Sequence, residues 1–385
     1  MAGIYKKFTI AAAGIAVSWT AIHTAPAAAT SLYSVTNLGK IPGSDFGIAQ
    51  DINDFGQVVG HSSFHNTPSA PYDYRAFFWE NGVMTDLGTL GGSNSLAADI
   101  NNSGQVVGSA NIDRVDYNGF EVRHSFLWSK ESGMTDLTAE FLFFFTGATA
   151  INNLGQVIIS TENHTAHLWE NGIFTNLCLN PNGRCDVYDI NDKGQAVGYI
   201  EVDQGGTIRH TFLWENGMIT NLGTFGEVEN WSTATAINEL GQIVGHADYK
   251  AALWENSELT ILGTLGGRLT SATDINDFGQ VVGWSDIINE PREIHAFIWD
   301  ETSGFQDLNN LIPANSGWIL EGAWGINNKG QIVGNGSING QENAFLLTPI
   351  SQSVPEPVSS LSLLAFGTCG VGLALQKKLT SSQKR

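Results

Sequence analysis

Carboxylates are the commonest reactive groups in this chain. It carries 38 Asp and Glu against 18 Lys and Arg and nine His in 385 residues. Four aspartates recur in one setting: Asp51, Asp99, Asp189 and Asp274 each precede an Ile-Asn pair. Oxygen ligands of this kind suit a hard cation. The string Asp-Ile-Asn-Asp-Phe-Gly, however, has Phe where an EF-hand loop needs a fifth-position Asp or Asn. Carboxylates on solvated turns are the preferred reading. His124, His210 and His295 each stand four residues ahead of a Trp. Zinc needs ligands converging at about 2 Å, so one repeated position on separate structural units does not make a site. Cys178 and Cys185 bracket six residues with no second pair to complete a zinc site, and a local disulfide is favoured over free thiols. No Gly-x-Ser-x-Gly elbow, His-Glu-x-x-His pair or phosphate loop is present. No catalytic residue, cofactor or metal is therefore expected.

A second group of side chains points to binding. Tyr72, Tyr74, Tyr117, Phe120, Tyr199 and Trp284 lie beside Asp113, Asp116, Glu201 and Asp286. Aromatic faces can stack on sugar rings while carboxylates and amides bond the hydroxyls. The same rings could equally pack under their own loops. What decides between the two is the scaffold that holds them.

That scaffold is repetitive. The string Ile-Asn-x-x-Gly-Gln begins at Ile52, Ile100, Ile151, Ile190, Ile237, Ile275 and Ile326. The spacings are 48, 51, 39, 47, 38 and 51 residues. Each unit reads as four short strands: Ala-x-x-Ile, then Gln-Val-Val-Gly, then an alternating run to a Trp, then Thr-Asp/Asn-Leu-Gly. Asn-x-x-Gly fits a tight turn with its Gly in the left-handed region, and Asn-Gly (Asn81-Gly82, Asn171-Gly172, Asn216-Gly217) makes a second hairpin. Four-stranded units at this period predict an all-β, seven-bladed propeller over residues 30–352. The last unit lacks a fourth strand and the stretch Tyr33–Gly39 is an orphan fourth strand, so the N-terminal strand should close the ring. The two tight turns share one rim and offer few distinctive side chains. The long connections Ser62–Tyr74, Asn111–Arg123, Tyr199–Arg209 and Trp284–Ile294 share the other rim and hold the aromatic residues.

The units resemble the HAF family of probable extracellular repeats. The carrying residues are His295-Ala296-Phe297, Gly263 to Gly267 and Ile275 to Gly283. The likeness covers most of residues 32–350. Ile159 stands where the pattern has Gly, and Leu347 where it has Trp. The resemblance implies an extracellular repeat domain and no particular activity.

The two ends read as addresses. Residues 1–29 fit a secretory signal: Lys6 and Lys7, an apolar run from Phe8 to Ala21, and Ala27-Ala28-Ala29 for cleavage. At the other end come Val354-Pro355-Glu356-Pro357, an 18-residue uncharged stretch from Val358 to Leu375, and a basic tail with Lys377, Lys378, Lys384 and Arg385. An apolar helix over 358–375 just spans a ~30 Å hydrocarbon core. These three parts resemble a PEP-CTERM sorting signal, occupying residues 353–385. The resemblance implies an exosortase-type processing enzyme as partner, transient inner-membrane association, and display or release by a Gram-negative bacterium. A retained membrane anchor is the alternative.

Two of the 18 basic residues fall in the leader and four in the tail, and one of the 38 acids falls in the tail. The body keeps 12 basic and 37 acidic residues, a net charge of −25. That balance argues against nucleic acid as a partner. The expected protein is a non-catalytic, surface-displayed propeller that binds exopolysaccharide or a surface protein. A glycan-cleaving enzyme on the variable rim and a purely structural matrix component are the alternatives.

Overall fold

The structure, a computed structural model, describes residues 32–350 except 65–72, 141–143, 179–183, 203–207, 224–230, 257 and 288–292. The expected leader, Tyr72, the Pro-Glu-Pro segment and the expected helix over 358–375 lie outside the described residues. Seven four-stranded antiparallel sheets follow one another as the blades of a propeller. Blade one is Phe46–Ile52, Val58–Phe64, Asp73–Glu80 and Val83–Asp86. Blade six is Gly266–Ile275, Val281–Ile287, Ile294–Asp300 and Gly304–Asp307. Blade seven is Trp318–Ile326, Ile332–Ile338 and Gln341–Pro349, with Tyr33–Gly39 as its fourth strand, Val35 lying opposite Leu347. Among the described residues no helix is long and apolar enough to cross a membrane.

Local sequence dictates the hairpins. Asn81 and Gly82 both take positive φ, 51° and 85°, which is the twist that a two-residue hairpin needs. Gly56 sits at φ 77° at the end of the Asn-x-x-Gly turn.

The apolar core is not central. Seven buried clusters form, one between each neighbouring pair of blades. Each joins the two faces of adjoining sheets, as Val282 and Ile298 of blade six meet Leu320, Ile326 and Leu347 of blade seven. In five blades the Gly of Gln-x-x-Gly lies opposite a Phe of the third strand, as Gly60 faces Phe77. A Cβ on Gly60 would stand 2.0 Å from the Ile48 carbonyl oxygen and 2.9 Å from the Phe77 ring. Blade three has Ile159 at the Gly position, and there the opposite residue is His167 instead of Phe. The two departures compensate each other.

The repeated Asn does more than shape a turn. Asn53, Asn101, Asn152, Asn191, Asn238, Asn276 and Asn327 are all buried. Each donates from Nδ2 to the backbone oxygen of the next Asn, and Asn327 closes the circle onto Asn53 at 2.9 Å. Each Oδ1 meanwhile accepts backbone N–H groups of its own turn, as Asn191 does from Lys193 and Gln195. A ring of seven amides thus stitches all the blades at the axis, in addition to the strand closure.

The four axial aspartates are not solvated turn carboxylates. The ladder between first and second strands slips just before each repeated Ile, for example between Ala272 and Asp274. For six of the seven the Ile N–H beyond the slip goes to carboxylate oxygen. Asp274 accepts from Ile275 of its own blade at 2.7 Å and from Ile326 of the next blade at 2.7 Å. Asp51, Asp99 and Asp189 accept likewise from Ile100, Ile151 and Ile237. Held between blades, Asp189 is pushed up to about 6 and Asp274 to about 8, by burial first. Asp99 is raised too, by burial and by the Asp51 carboxyl to which it bonds. The sequence alone could not reveal this, because the partner N–H lies on another blade.

Candidate functional site

The variable rim differs from the sequence reading in one respect: the strands run far into the connections. The second strand of blade two reaches Val115 and that of blade six reaches Ile287. Pairing continues in register in blades one, four and six, so Tyr74, Tyr199 and Trp284 stand on strands and not on loops, whereas in blade two it resumes at Val115 after a shift beyond Asn111. The expected aromatic residues do not converge. Tyr117 and Phe120 cap the blade-two hairpin and are 85% and 65% exposed. Tyr117 meets Phe144 edge-on at 6.0 Å. Tyr74 lies edge-on to His61 at 5.4 Å. Tyr199 is buried under Arg209, whose guanidinium lies 4.2 Å from its ring, and its hydroxyl donates to Asp186. Cys178 and Cys185 form a disulfide in the connection that enters blade four, their Cα atoms 5.6 Å apart.

Trp284 is the aromatic residue with a built site around it. A groove of about 550 Å3 opens between blades six and seven, within the range of small-ligand sites. Blade six contributes Trp284, Glu293, Ile294 and His295, and blade seven Ile319, Glu321, Gly322, Trp324 and Asn335. The wall is laid out residue by residue. Gly322 leaves room for the neighbouring indole, since a Cβ there would stand 2.8 Å from Trp324 Cζ2. Trp324 Nε1 donates to Asn335 Oδ1 at 2.8 Å, which fixes the ring plane. The first strand of blade seven carries an extra register slip between Leu320 and Gly322, and Glu321 sits on it. Bulges of this kind re-aim side chains beside sites. His295 Nδ1 is 2.7 Å from Asp307 Oδ2, and this bond raises its pKa despite burial. Burial followed by the Glu342 charge raises the Glu321 carboxyl above its usual range. The groove therefore offers two indole faces, an imidazole, two carboxyls and an amide.

The other His positions remain single. His124 pairs with Asp136 at 2.7 Å and His210 with Asn221 at 2.9 Å, each within its own blade. Among the described residues no three His, Cys, Asp or Glu are grouped so as to hold a metal ion.

Sequence reasoning passed over Trp324, Glu321, His295 and Asn335 as site residues. A signal existed for the first. Trp324 occupies the second place of Ala-x-x-Ile, where four other repeats have Ala or Thr. A bulky ring in the most crowded strand is costly unless it has work to do.

The fold is that of a seven-bladed β-propeller, and comparison with known proteins agrees. The β-propeller domain of the Trilobed protease from Pyrococcus furiosus superposes with a TM-score of 0.50 at 14% identity, over 79% of this chain and 94% of that one. It is described as having an open velcro topology, whereas here Tyr33–Gly39 completes the last blade. The acylaminoacyl peptidase of Pyrococcus horikoshii gives 0.48 at 10% identity, over 80% of this chain and 53% of that one. YCF48 bound to a D1 peptide gives 0.46 at 12% identity, over 83% and 97%. At 14% identity the first of these likenesses speaks for the fold alone. Residues 266–344 match the family described as "Protein of unknown function (DUF3466)", a stretch that holds blade six and most of blade seven. No curated protein matches the chain.

Proposed function

We propose that this protein is an exported surface or matrix propeller that binds a saccharide, such as exopolysaccharide, in the groove between blades six and seven without cleaving it. The observation that carries the reading is the pairing of Trp284 and Trp324 with His295, Glu321 and Asn335 around one cavity. Indole faces suit the C–H faces of a sugar ring, and the polar groups suit its hydroxyls. Export is supported by the resemblance of residues 1–29 to a signal peptide and of 353–385 to a PEP-CTERM signal. The disulfide supports an oxidising compartment. An exosortase-type enzyme would then process the C-terminal segment at the inner membrane. A glycan array followed by calorimetry tests the binding. Trp284→Ala and Trp324→Ala should each weaken a ligand so found while the protein stays folded.

One observation favours catalysis as a second reading. Glu321, with its raised pKa, shares the groove with a second carboxyl, Glu293. A pair of this kind can act as acid and base on a glycosidic bond. Release of reducing ends from the bound glycan, abolished by Glu321→Gln, would select that reading. Binding without release selects the first.

A further inference from the structure

The tight-turn rim carries a feature that folding does not require. The third residue after the ring Asn's preceding Ile is Phe55, Leu154, Leu240 or Phe278 in four blades, and these side chains are 69%, 67%, 67% and 74% exposed. The other three blades hold Ser103, Lys193 and Lys329 at that place. The turn is the same in all seven, with the Gly N–H donating to the Asn oxygen at about 3.0 Å in both kinds. Polar residues therefore serve the fold equally well. Four large apolar side chains around one rim are the mark of a contact face.

They surround a polar funnel of about 200 Å3 at the axis. Besides the axial Asp274, its carboxyl groups are Asp54, Asp192, Glu239 and Asp277 on the turns. Each accepts a backbone N–H from the neighbouring turn, as Glu239 does from Asp192 at 2.7 Å and Asp277 from Glu239 at 2.9 Å. They are fixed in place, and the second oxygen of Asp54 also accepts from Asn102, while that of Glu239 is left to offer. Asn153 and Asn328 bond the second oxygens of Asp192 and Asp277, and Lys193 is occupied with the Glu239 carbonyl oxygen. The face is thus apolar at four of its seven crest positions and negative at its centre. That charge disfavours an anionic lipid surface, and it disfavours a second copy meeting the same face.

We propose that this rim docks a polypeptide segment that carries Lys or Arg among apolar side chains, the cation entering the funnel and the apolar groups lying on Phe55, Leu154, Leu240 and Phe278. The proposal is independent of the groove on the opposite rim.

The test uses the full chain and an array of short synthetic peptides. Each peptide bears one Lys or Arg among Leu and Phe at varied spacing, and each has a twin with Gln in place of the cation. Fluorescence anisotropy then measures the strongest binder. Basic peptides should bind, and their Gln twins should bind at least about tenfold more weakly. Leu240→Ser with Phe278→Ser should weaken binding about tenfold or more and leave melting unchanged, since both side chains are exposed. Glu239→Gln with Asp277→Asn keeps one acceptor oxygen at each position for the backbone N–H bonds, removes two charges and should weaken binding similarly. Failure of every basic peptide, or equal binding of the Gln twins, overturns the proposal. So does adsorption to phosphatidylcholine vesicles that the Leu240→Ser, Phe278→Ser protein loses. A dimer of the full chain that the same variant dissociates would place a second copy on the face instead.

Discussion

Replacing one member of the amide ring measures how much the axis contributes. In Asn191→Ala four hydrogen bonds disappear: two donated, to Gln195 Oε1 at 2.8 Å and the Asn238 oxygen at 3.1 Å, and two accepted, from Lys193 and Gln195 N–H at 3.1 and 3.0 Å. The Asn238 oxygen keeps another partner, the Gly241 N–H at 3.1 Å. The two N–H groups of the turn do not. Leaving a buried polar group unpaired costs about 1–3 kcal/mol, and these groups sit near the surface, where water recovers part of that. A loss of about 2–4 kcal/mol follows. Asn191→Asp keeps the accepted bonds, removes both donated ones and sets a charge against two oxygens, so it should lose a comparable amount. Urea titration followed by tryptophan fluorescence reads the change as a shift in midpoint at constant slope. Leu240→Ser, an exposed change on the next turn, should stay within about 0.5 kcal/mol. A loss below about 1 kcal/mol in both Asn191 variants would show that the ring is incidental to stability.

The axial aspartates predict a pH dependence. The folded pKa values of Asp189 and Asp274 lie above the unfolded one, so their contribution is full below about pH 4 and is lost progressively as pH rises to about 6 for Asp189 and about 8 for Asp274. Calorimetric melting should therefore fall between about pH 4 and about pH 8, most steeply below about 6, and Asp274→Asn should flatten the slope; an unchanged slope would remove Asp274 as its source. Deleting residues 31–39 removes the partner of the third strand of blade seven and bares its edge. Light scattering should then show aggregation at temperatures the full chain tolerates, and a truncated protein that melts normally would count against closure by this strand. The sorting proposal predicts that mass spectrometry of the mature surface protein finds no peptide from Leu361 to Arg385; recovery of Lys384-Arg385 there would indicate a retained anchor.

The blades were legible because their signals are local. Asn-Gly and Asn-x-x-Gly define hairpins within four residues, and seven copies, the last short of its fourth strand, with an orphan fourth strand ahead of the first define a closed ring. What the ring binds together was not legible. Asn53 looked like a turn residue, yet its amide reaches a residue 48 positions on. Asp274 looked solvated for the same reason: its second partner, Ile326, is 52 positions away. The site was half visible. Trp284 drew notice as a large ring near a long connection. Trp324, Glu321 and Asn335 sit inside regular strands of the next blade, and only folding brings them to Trp284. The tight rim was underrated because its regular turns drew attention away from Phe55, Leu154, Leu240 and Phe278, whose exposure depends on the disc being assembled.

The central claim is that the groove between blades six and seven is the ligand site. Calorimetric titration of an array-selected glycan into the full chain, Trp284→Ala, Trp324→Ala and the opposite-rim Phe278→Ser tests it most directly. Aromatic contacts of this kind are worth about 0.5–1.5 kcal/mol beyond area burial, so each Trp variant should lose affinity by about tenfold or more with its fold intact. Phe278→Ser should bind as the unaltered chain does. Full affinity in both Trp variants would contradict the account, and loss in Phe278→Ser would move the saccharide to the other rim.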